Sequence, residues 1–263
     1  MRALSLVLLA LVASACEEKK PTLPPAASSP LVVASVAPAA TVVKFTIDGA
    51  SKATLTMEAP IETIKATASN GAGHIDVDLA NLPASRGEVK LDLLTLTMST
   101  FGDAAKDKLQ TEHARTWLEV ADGADGKIDE KTKEANRWAV YAIHFVENAS
   151  ATDLTKVAPT TDGADEVRSV NLTTKGELLV HGIKTERVAD LALQFRYEPG
   201  APATKPRALG VTTRKPFRVI LGDHEVKPRD AAGKIKRDAF HLLGTKVADN
   251  ADIALDLRAK PQS

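Results

Sequence analysis

Short stretches in which apolar and polar residues alternate one by one constrain the fold of this chain more than any other feature. They recur along most of its length, as in residues 52–58 (KATLTME), residues 74–79 (HIDVDL) and residues 252–257 (DIALDL). Successive side chains of a β-strand point to opposite faces of the sheet, so this alternation predicts strands with one buried face. The body of the chain is therefore predicted to be all-β.

Further segments of the same period supply more apolar faces. These faces are Val89, Leu91 and Leu93; Tyr141, Ile143 and Phe145; Leu191, Leu193, Phe195 and Tyr197; and Phe217, Val219 and Leu221. Residues typical of turns fall between the strands, at Asp48-Gly49, Asn70-Gly71, Lys175-Gly176 and Leu221-Gly222-Asp223. Such strands pack either as a sandwich of two sheets or as a closed barrel, and alternation alone does not choose between the two.

One segment, residues 103–118, departs from the alternation. It lacks Gly and Pro, and Asp103 is placed to cap the start of a helix. An apolar stripe at intervals of four residues predicts a helix laid on the β structure, through Ala105, Leu109, His113 and Trp117, flanked by Ala114 and Leu118. Residues 129–137 show a second, weaker helical pattern.

The N-terminal residues are typical of a secretory signal peptide. Met1-Arg2 is positively charged, residues 3–12 are almost all Ala, Leu and Val, and small residues lead to Cys16, the only cysteine. This order resembles the lipobox of bacterial lipoproteins, which implies a signal peptide over residues 1–15 and an acylated Cys16 that anchors the protein to a membrane. The alternative is cleavage after Ala15 with a free thiol beyond it. Residues 16–40 then form a Pro-, Ala- and Ser-rich tether that cannot bury enough surface to fold.

Composition argues against several classes of function. The chain has 34 basic and 34 acidic residues, so no positive surplus favours nucleic acid. The six histidines lack the spacing of metal ligands. Residues 121–134 resemble a calcium loop, but its first, third and twelfth positions hold Ala121, Gly123 and Thr132 where acidic ligands are required. No nucleophile motif is present. We therefore expect no metal, no cofactor and no enzymatic activity. His181, before Gly182, is interpreted as part of a hairpin turn that bonds to nearby backbone.

Several segments together resemble the YceI-like family. They are residues 45–48 (FTID), residues 107–109 (DKL) with residues 117–120 (WLEV), residues 178–185 (LLVHGIKT) and residues 237–240 (RDAF). The resemblance extends over a domain of residues 41–259. It implies a periplasmic, lipocalin-like antiparallel β-barrel of about eight strands, with one amphipathic helix on its side, that binds a polyisoprenoid or another long-chain lipid.

The leading hypothesis is therefore a cell-envelope lipoprotein, facing the periplasm and placed by preference on the outer membrane, that holds a long apolar ligand inside its barrel. The predicted ligand-binding residues are Val89, Leu91, Leu93, Leu109, His113, Trp117, Leu191, Leu193, Phe195 and Ile253. The alternative is a structural or interaction lipoprotein with a solid core, in which the insertion at residues 121–137 contacts a protein partner. A homodimer or another envelope partner is left open.

Overall fold

A computed structural model describes residues 31–32, 40–123, 127–228 and 247–262. The predicted signal peptide, Cys16, nearly all of the predicted tether and the segment 237–240 lie outside these residues. Within the described residues, no helix combines the length and the hydropathy needed to cross a bilayer.

The described residues form eleven strands and two α-helices. The strands are β1 (Val42–Ile47), β2 (Lys52–Glu58), β3 (Thr63–Asp78), β4 (Arg86–Met98), β5 (Trp138–Glu147), β6 (Thr160–Asp162), β7 (Asp165–Val180), β8 (Ile183–Tyr197), β9 (Ala208–Thr213), β10 (Phe217–Ile220) and β11 (Asn250–Pro261). The helices are α1 (Ala104–Trp117), between β4 and β5, and α2 (Glu130–Asn136), which precedes β5.

The strands close into an antiparallel barrel. The ring runs β2-β3-β4-β5-β7-β8-β9-β11, and β11 pairs back onto β2. At one end of the barrel β1, and not β2, lies between β3 and β11. β10 pairs with residues 250–253 of β11, next to the part of β11 that pairs with β9. Closure into a ring confirms the predicted barrel over the sandwich. Since every ring strand lies between Val42 and Pro261, residues 41–263 contain the whole barrel.

One half of the barrel is packed solid. Phe45 and Phe195 meet edge to face with their ring centroids 6.0 Å apart, and both side chains are fully buried. Leu79, Leu82 and Leu154 cover the end of this half from the connecting segments and are also fully buried. We call this part of the barrel the packed half. It comprises the five side chains named above and the inward residues of β1, β9 and the second halves of β3, β8 and β11. The burial of these side chains supplies most of the apolar core of the protein.

Two dipeptides that the sequence marks as turns lie inside strands. Asn70 adopts a φ of 59° within β3, where the pairing with β4 shifts register, so Asn70-Gly71 forms a bulge instead of ending the strand. Gly176 lies within β7, and a Cβ at this position would stand 1.9 Å from the carbonyl oxygen of Ala142 on β5. Glycine is needed here for the close approach of two strands, so its presence does not mark a turn.

A second register shift reverses one predicted side chain. The pairing of β5 with β7 shifts between Ile143 and Phe145. As a result Phe145 points outward with 58% of its surface exposed, and Val146 takes the buried position. A bulge of this kind adds one residue to the strand, which shifts the alternation to the other face.

Both predicted helices are confirmed, and the faces of α1 differ from the prediction. The Asp103 carboxylate accepts the N–H groups of Ala105 and Lys106, and Asp129 caps α2 through Thr132. α1 lies against β4 through two hydrogen bonds described below, which turn Ala114 and Leu118 toward the barrel. Leu109 is therefore 52% exposed and does not face inward as predicted.

Candidate functional site

The other half of the barrel encloses a cavity of about 350 Å³. It lies between the packed half and helix α1. This volume falls at the lower end of the range of ligand pockets in proteins. An antiparallel barrel of eight strands has an interior wide enough for one small ligand when side chains leave room for it.

Inward-facing residues of neighbouring strands form most of the wall. They are Ala53, Leu55 and Met57 on β2; Ile64, Ala66 and Ala68 on β3; Val89, Leu91, Leu93, Leu96 and Met98 on β4; and Ala251, Ile253 and Leu255 on β11. The alternation of the sequence places these side chains on one face of each strand. The wall is consequently almost entirely aliphatic.

Alanine residues create the space. Ala53 on β2 and Ala68 on β3 are direct cross-strand partners, and Ala66 pairs with Leu55. In the packed half, the corresponding inward positions carry larger side chains such as Phe45 and Phe195. Because the strands stay at the same spacing along the barrel, small inward side chains leave a void where large ones would fill it.

Helix α1 forms the wall opposite the packed half. Gln110, His113 and Trp117 line the cavity from this helix. The N–H of Met98 donates to Thr111 Oγ1 over 2.9 Å, and Arg115 Nε donates to the carbonyl oxygen of Leu96 over 2.9 Å. These two bonds attach the helix to the end of β4, so its position over the cavity is set by β4.

Two polar side chains in the wall have their hydrogen bonds satisfied by the protein. The Tyr141 hydroxyl donates to the carbonyl oxygen of Arg187 over 3.2 Å and lies 3.1 Å from Thr174 Oγ1. His224 Nδ1 lies 3.2 Å from the carbonyl oxygen of Val180, and its Nε2 lies 3.0 Å from Thr185 Oγ1. Burial raises the pKa of Tyr141 to about 12 and lowers the pKa of His224. Both groups are therefore neutral near pH 7.

The side-chain carbonyl of Gln110 differs from these groups. Its Oε1 is buried and has no hydrogen-bond partner among the described residues. A buried acceptor without a donor costs about 1–3 kcal/mol, so such groups are rare in folded proteins. Gln110 Oε1 is thus an unsatisfied acceptor that is buried behind the wall of the cavity.

His181 joins three segments next to the cavity. It forms the β7–β8 turn with Gly182, and both residues have a positive φ, 51° and 74°. Its Nδ1 lies 3.0 Å from the carbonyl oxygen of His224, and its Nε2 lies 2.7 Å from Glu119 Oε2. The interpretation of His181 as a turn residue bonded to backbone is confirmed, although the backbone partner is distant in sequence. Sequence reasoning missed Glu119, which follows α1.

Sequence comparisons identify no relative of this chain: no protein-family model matches it, and no curated protein does. A comparison with solved structures finds a polyisoprenoid-binding domain from Saccharophagus degradans implicated in plant cell wall breakdown, at 14% identity and a TM-score of 0.47, covering 84% of this chain and 99% of the other. BcnA of Burkholderia cenocepacia matches at 13% identity and a TM-score of 0.49, covering 81% of this chain and 99% of the other. The YCEI protein of Campylobacter jejuni matches at 12% identity and a TM-score of 0.41, covering 75% of this chain and 85% of the other. The chain is thus similar in structure to YceI-like proteins. The likeness concerns the fold, and the cavity is a property of this chain itself.

Six of the predicted ligand-binding residues line the cavity. They are Val89, Leu91, Leu93, His113, Trp117 and Ile253. Four others lie elsewhere. Leu109 is exposed on α1, and Leu191, Leu193 and Phe195 belong to the packed half, where Leu191 and Leu193 border a separate gap of only about 30 Å³. The alternation gave their inward direction correctly, but it does not tell how far along the barrel a residue lies. Cys16 lies outside the described residues.

The residues that the sequence reasoning missed are chiefly the small ones. Ala53, Ala66 and Ala68 occupy inward positions in alternating segments, which is the signal that could have located the void. Gln110 was missed because the predicted stripe placed Leu109 on the inward face at this turn of the helix, although His113 and Trp117 of the same stripe do line the cavity. Among the described residues, no three His, Cys, Asp or Glu side chains lie close enough together to hold a metal ion.

Proposed function

We propose that this chain binds a single long apolar chain, from a polyisoprenoid or a fatty lipid, inside its barrel. The aliphatic cavity of about 350 Å³ carries this proposal. The resemblance of residues 178–185 and the other segments to the YceI-like family implies the same class of ligand. Sequestration needs no chemistry from the protein, and we propose that the chain is a binding protein without catalytic activity.

The size of the cavity suits an apolar chain and not just a trapped water. Its volume of about 350 Å³ is many times the roughly 10–15 Å³ that one buried water requires. Each CH₂ that is buried in it contributes about 0.8 kcal/mol. Burial of several methylene groups therefore suffices for binding.

The alternative function, a partner-binding lipoprotein with a solid core, has less support. It requires an apolar surface on the insertion at residues 121–137. In this region Ile128 is buried, and Val120 just before it is buried as well. Ile128, the large apolar side chain among the described residues of the insertion, is therefore packed against the protein, and half of the barrel is not filled.

We also propose that Cys16 is acylated and that the tether holds the barrel on the periplasmic face of the outer membrane. The sequence order of residues 1–16 supports this proposal. Metabolic labelling with a palmitate analogue tests it. The native chain should take up label and fractionate with outer membranes, and Cys16→Ser should do neither. An unlabelled native chain would contradict the proposal.

Native mass spectrometry of residues 41–263, with extraction and identification of lipids, tests ligand binding. We expect a stoichiometric adduct of a long-chain lipid. Ala66→Phe should abolish the adduct because the added ring fills the cavity. The matched control is Thr67→Phe, which places the same ring on the outward face of β3 and should keep the adduct. A barrel that carries no lipid and takes up neither a polyisoprenoid nor a fatty acid would overturn the proposal.

A further inference from the structure

Three large apolar side chains are exposed at the end of the barrel that carries helix α1. Ile61, in the β2–β3 turn, exposes 69% of its surface, Phe101, between β4 and α1, exposes 46%, and Leu109, on α1, exposes 52%. We call these three residues the apolar rim. A single exposed apolar residue is common on protein surfaces, whereas a group of them at one place is typical of a contact with a partner or a membrane.

The β2–β3 turn lies beside the connection between β4 and α1. The N–H of Lys65, four residues after Ile61, donates to Thr100 Oγ1 over 3.2 Å, and the carbonyl oxygen of Lys65 accepts the N–H of Ser99 over 2.8 Å. Phe101 is the next residue after Thr100. Ile61 and Phe101 therefore belong to the same end of the barrel.

The connection is in turn fixed to the first turns of α1. The N–H of Phe101 donates to the Asp107 carboxylate over 2.9 Å, and the Lys106 ammonium lies 5.9 Å from the centre of the Phe101 ring. Leu109 follows Lys106 within one turn of the helix. A cation beside an exposed ring suits the surface of a bilayer, because the ring can enter the apolar layer while the amine stays among the phosphates.

The cavity comes close to the surface at the apolar rim. Glu62, which follows Ile61 in the β2–β3 turn, is half-buried and lines the cavity. His113, one turn beyond Leu109 on α1, is exposed and lines the cavity as well. The apolar rim thus stands next to the end of the space that we propose for the lipid chain.

The predicted tether is long enough to bring this rim to a membrane. β1 begins at Val42, which pairs with Asp78 at the far end of β3. From there to Thr63, beside the β2–β3 turn, β3 extends about 50 Å at about 3.3 Å per residue. Residues 16–40, about 25 in number, can span at most about 80–90 Å. A barrel anchored through Cys16 can therefore turn its apolar rim to the membrane that holds it.

From these observations we infer that the apolar rim docks onto the surface of a lipid bilayer, with Ile61 and Phe101 in contact with its apolar layer, and that the ligand passes between bilayer and cavity at this contact. The inference rests on the proposed function and adds the route by which the ligand enters. A long apolar chain that crosses water exposes its whole surface, and a docked rim avoids this cost.

Transfer of parinaric acid, a fatty acid whose own chain fluoresces, tests the route. Residues 41–263 are loaded with this probe and mixed with excess phosphatidylcholine vesicles that contain a quencher. If the probe first leaves into water, the rate constant of its transfer does not depend on the vesicle concentration. We expect the rate constant to rise with vesicle concentration, because transfer requires contact between rim and bilayer. A constant value over the whole range would overturn the inference.

Variants of the apolar rim identify the docking surface. At high vesicle concentration, Ile61→Asp and Phe101→Asp should each slow transfer at least about tenfold, since a carboxylate replaces an apolar side chain that enters the bilayer. Their affinity for parinaric acid without vesicles should equal that of the native barrel, because neither residue lines the cavity.

The matched controls are Val188→Asp and Phe145→Asp, at exposed apolar positions on the outward faces of β8 and β5. They should transfer the probe at the native rate. Equal rates in rim and control variants would contradict the assignment of the rim. A native barrel that binds neither parinaric acid nor a polyisoprenoid would instead overturn the proposed function.

A second copy of the chain is another occupant that an apolar surface of this kind could accept. Sedimentation of the native barrel without vesicles distinguishes the two. We expect a monomer, since the rim is assigned to the bilayer. A dimer that Phe101→Asp dissociates would assign the rim to contact between two copies and would overturn the inference.

Discussion

Single atoms decide whether two strands of this barrel can approach each other. Gly176 lies against the backbone of β5, and an added Cβ would meet the carbonyl oxygen of Ala142. We expect Gly176→Ala to lower the free energy of unfolding by about 1–3 kcal/mol, since β5 and β7 must move apart to admit a methyl group. Urea unfolding measures the effect. Gly222→Ala is the control, because a Cβ there meets no atom within 4 Å, and a similar loss in both variants would contradict the explanation.

A buried histidine makes the stability of the protein depend on pH. Burial lowers the pKa of His224 in the folded protein, whereas in the unfolded chain it has its ordinary value of about 6.5. As the pH falls below that value, the unfolded chain takes up a proton that the folded protein does not, so stability decreases. We expect the urea concentration at the midpoint of unfolding to decrease as the pH is lowered from about 7.5 to about 5.5, a range that spans the ordinary pKa of histidine.

The contribution of His224 can be isolated by substitution. In His224→Gln the protein should be less stable at pH 7.5, because the bonds to Val180 and Thr185 are disturbed, but its stability should change less with pH. His113→Gln, at an exposed position of α1, should retain the pH dependence of the native protein. The same dependence in His224→Gln as in the native protein would show that other groups cause it.

At the scale of one element, helix α1 is held by hydrogen bonds more than by an apolar face. Thr111→Val keeps the shape of the side chain but leaves the buried N–H of Met98 without an acceptor, at a cost of about 1–3 kcal/mol. We expect faster hydrogen exchange of the α1 amides and weaker ligand binding, with the strands of the ring little affected. Thr97→Val, which removes an exposed hydroxyl on the same end of β4, is the control. Unchanged exchange in α1 would contradict this account.

The elements were largely predictable from the sequence, and their exact faces were less so. The alternation at residues 52–58 gave the bounds of β2, and the absence of Gly and Pro with Asp103 at the start gave α1. The direction of Phe145 was not predictable, because it depends on a bulge in the pairing of β5 with β7. The exposure of Leu109 depends on bonds from Thr111 and Arg115 to β4, which is a tertiary contact that no local pattern reveals.

At the scale of the whole molecule, the barrel is filled at one end and hollow at the other, and sequence alone could not place the border. Leu255 and Leu257 show it on one strand: Leu255 lines the cavity, and Leu257, two residues further, is buried in the packed half. We expect Leu257→Ala to cost about 2–5 kcal/mol of stability, and Leu255→Ala to cost less because its side chain already borders a void. Thermal unfolding of ligand-free protein compares them. Equal losses would argue that the cavity is collapsed in solution.

The closure of the ring has a consequence for the order in which the protein can form. β11 is the last strand of the barrel, and it pairs with β1, β2, β9 and β10. A ribosome releases a chain N-terminus first, at about 5–20 residues per second, so β1 and β2 emerge long before the strand that completes them. Until residues 250–261 appear, the nascent chain carries unpaired strand edges and an uncovered aliphatic interior. Truncation before β11 should therefore yield a chain that aggregates. We expect the incomplete chain to need protection from aggregation until this last twelve-residue strand is available for pairing.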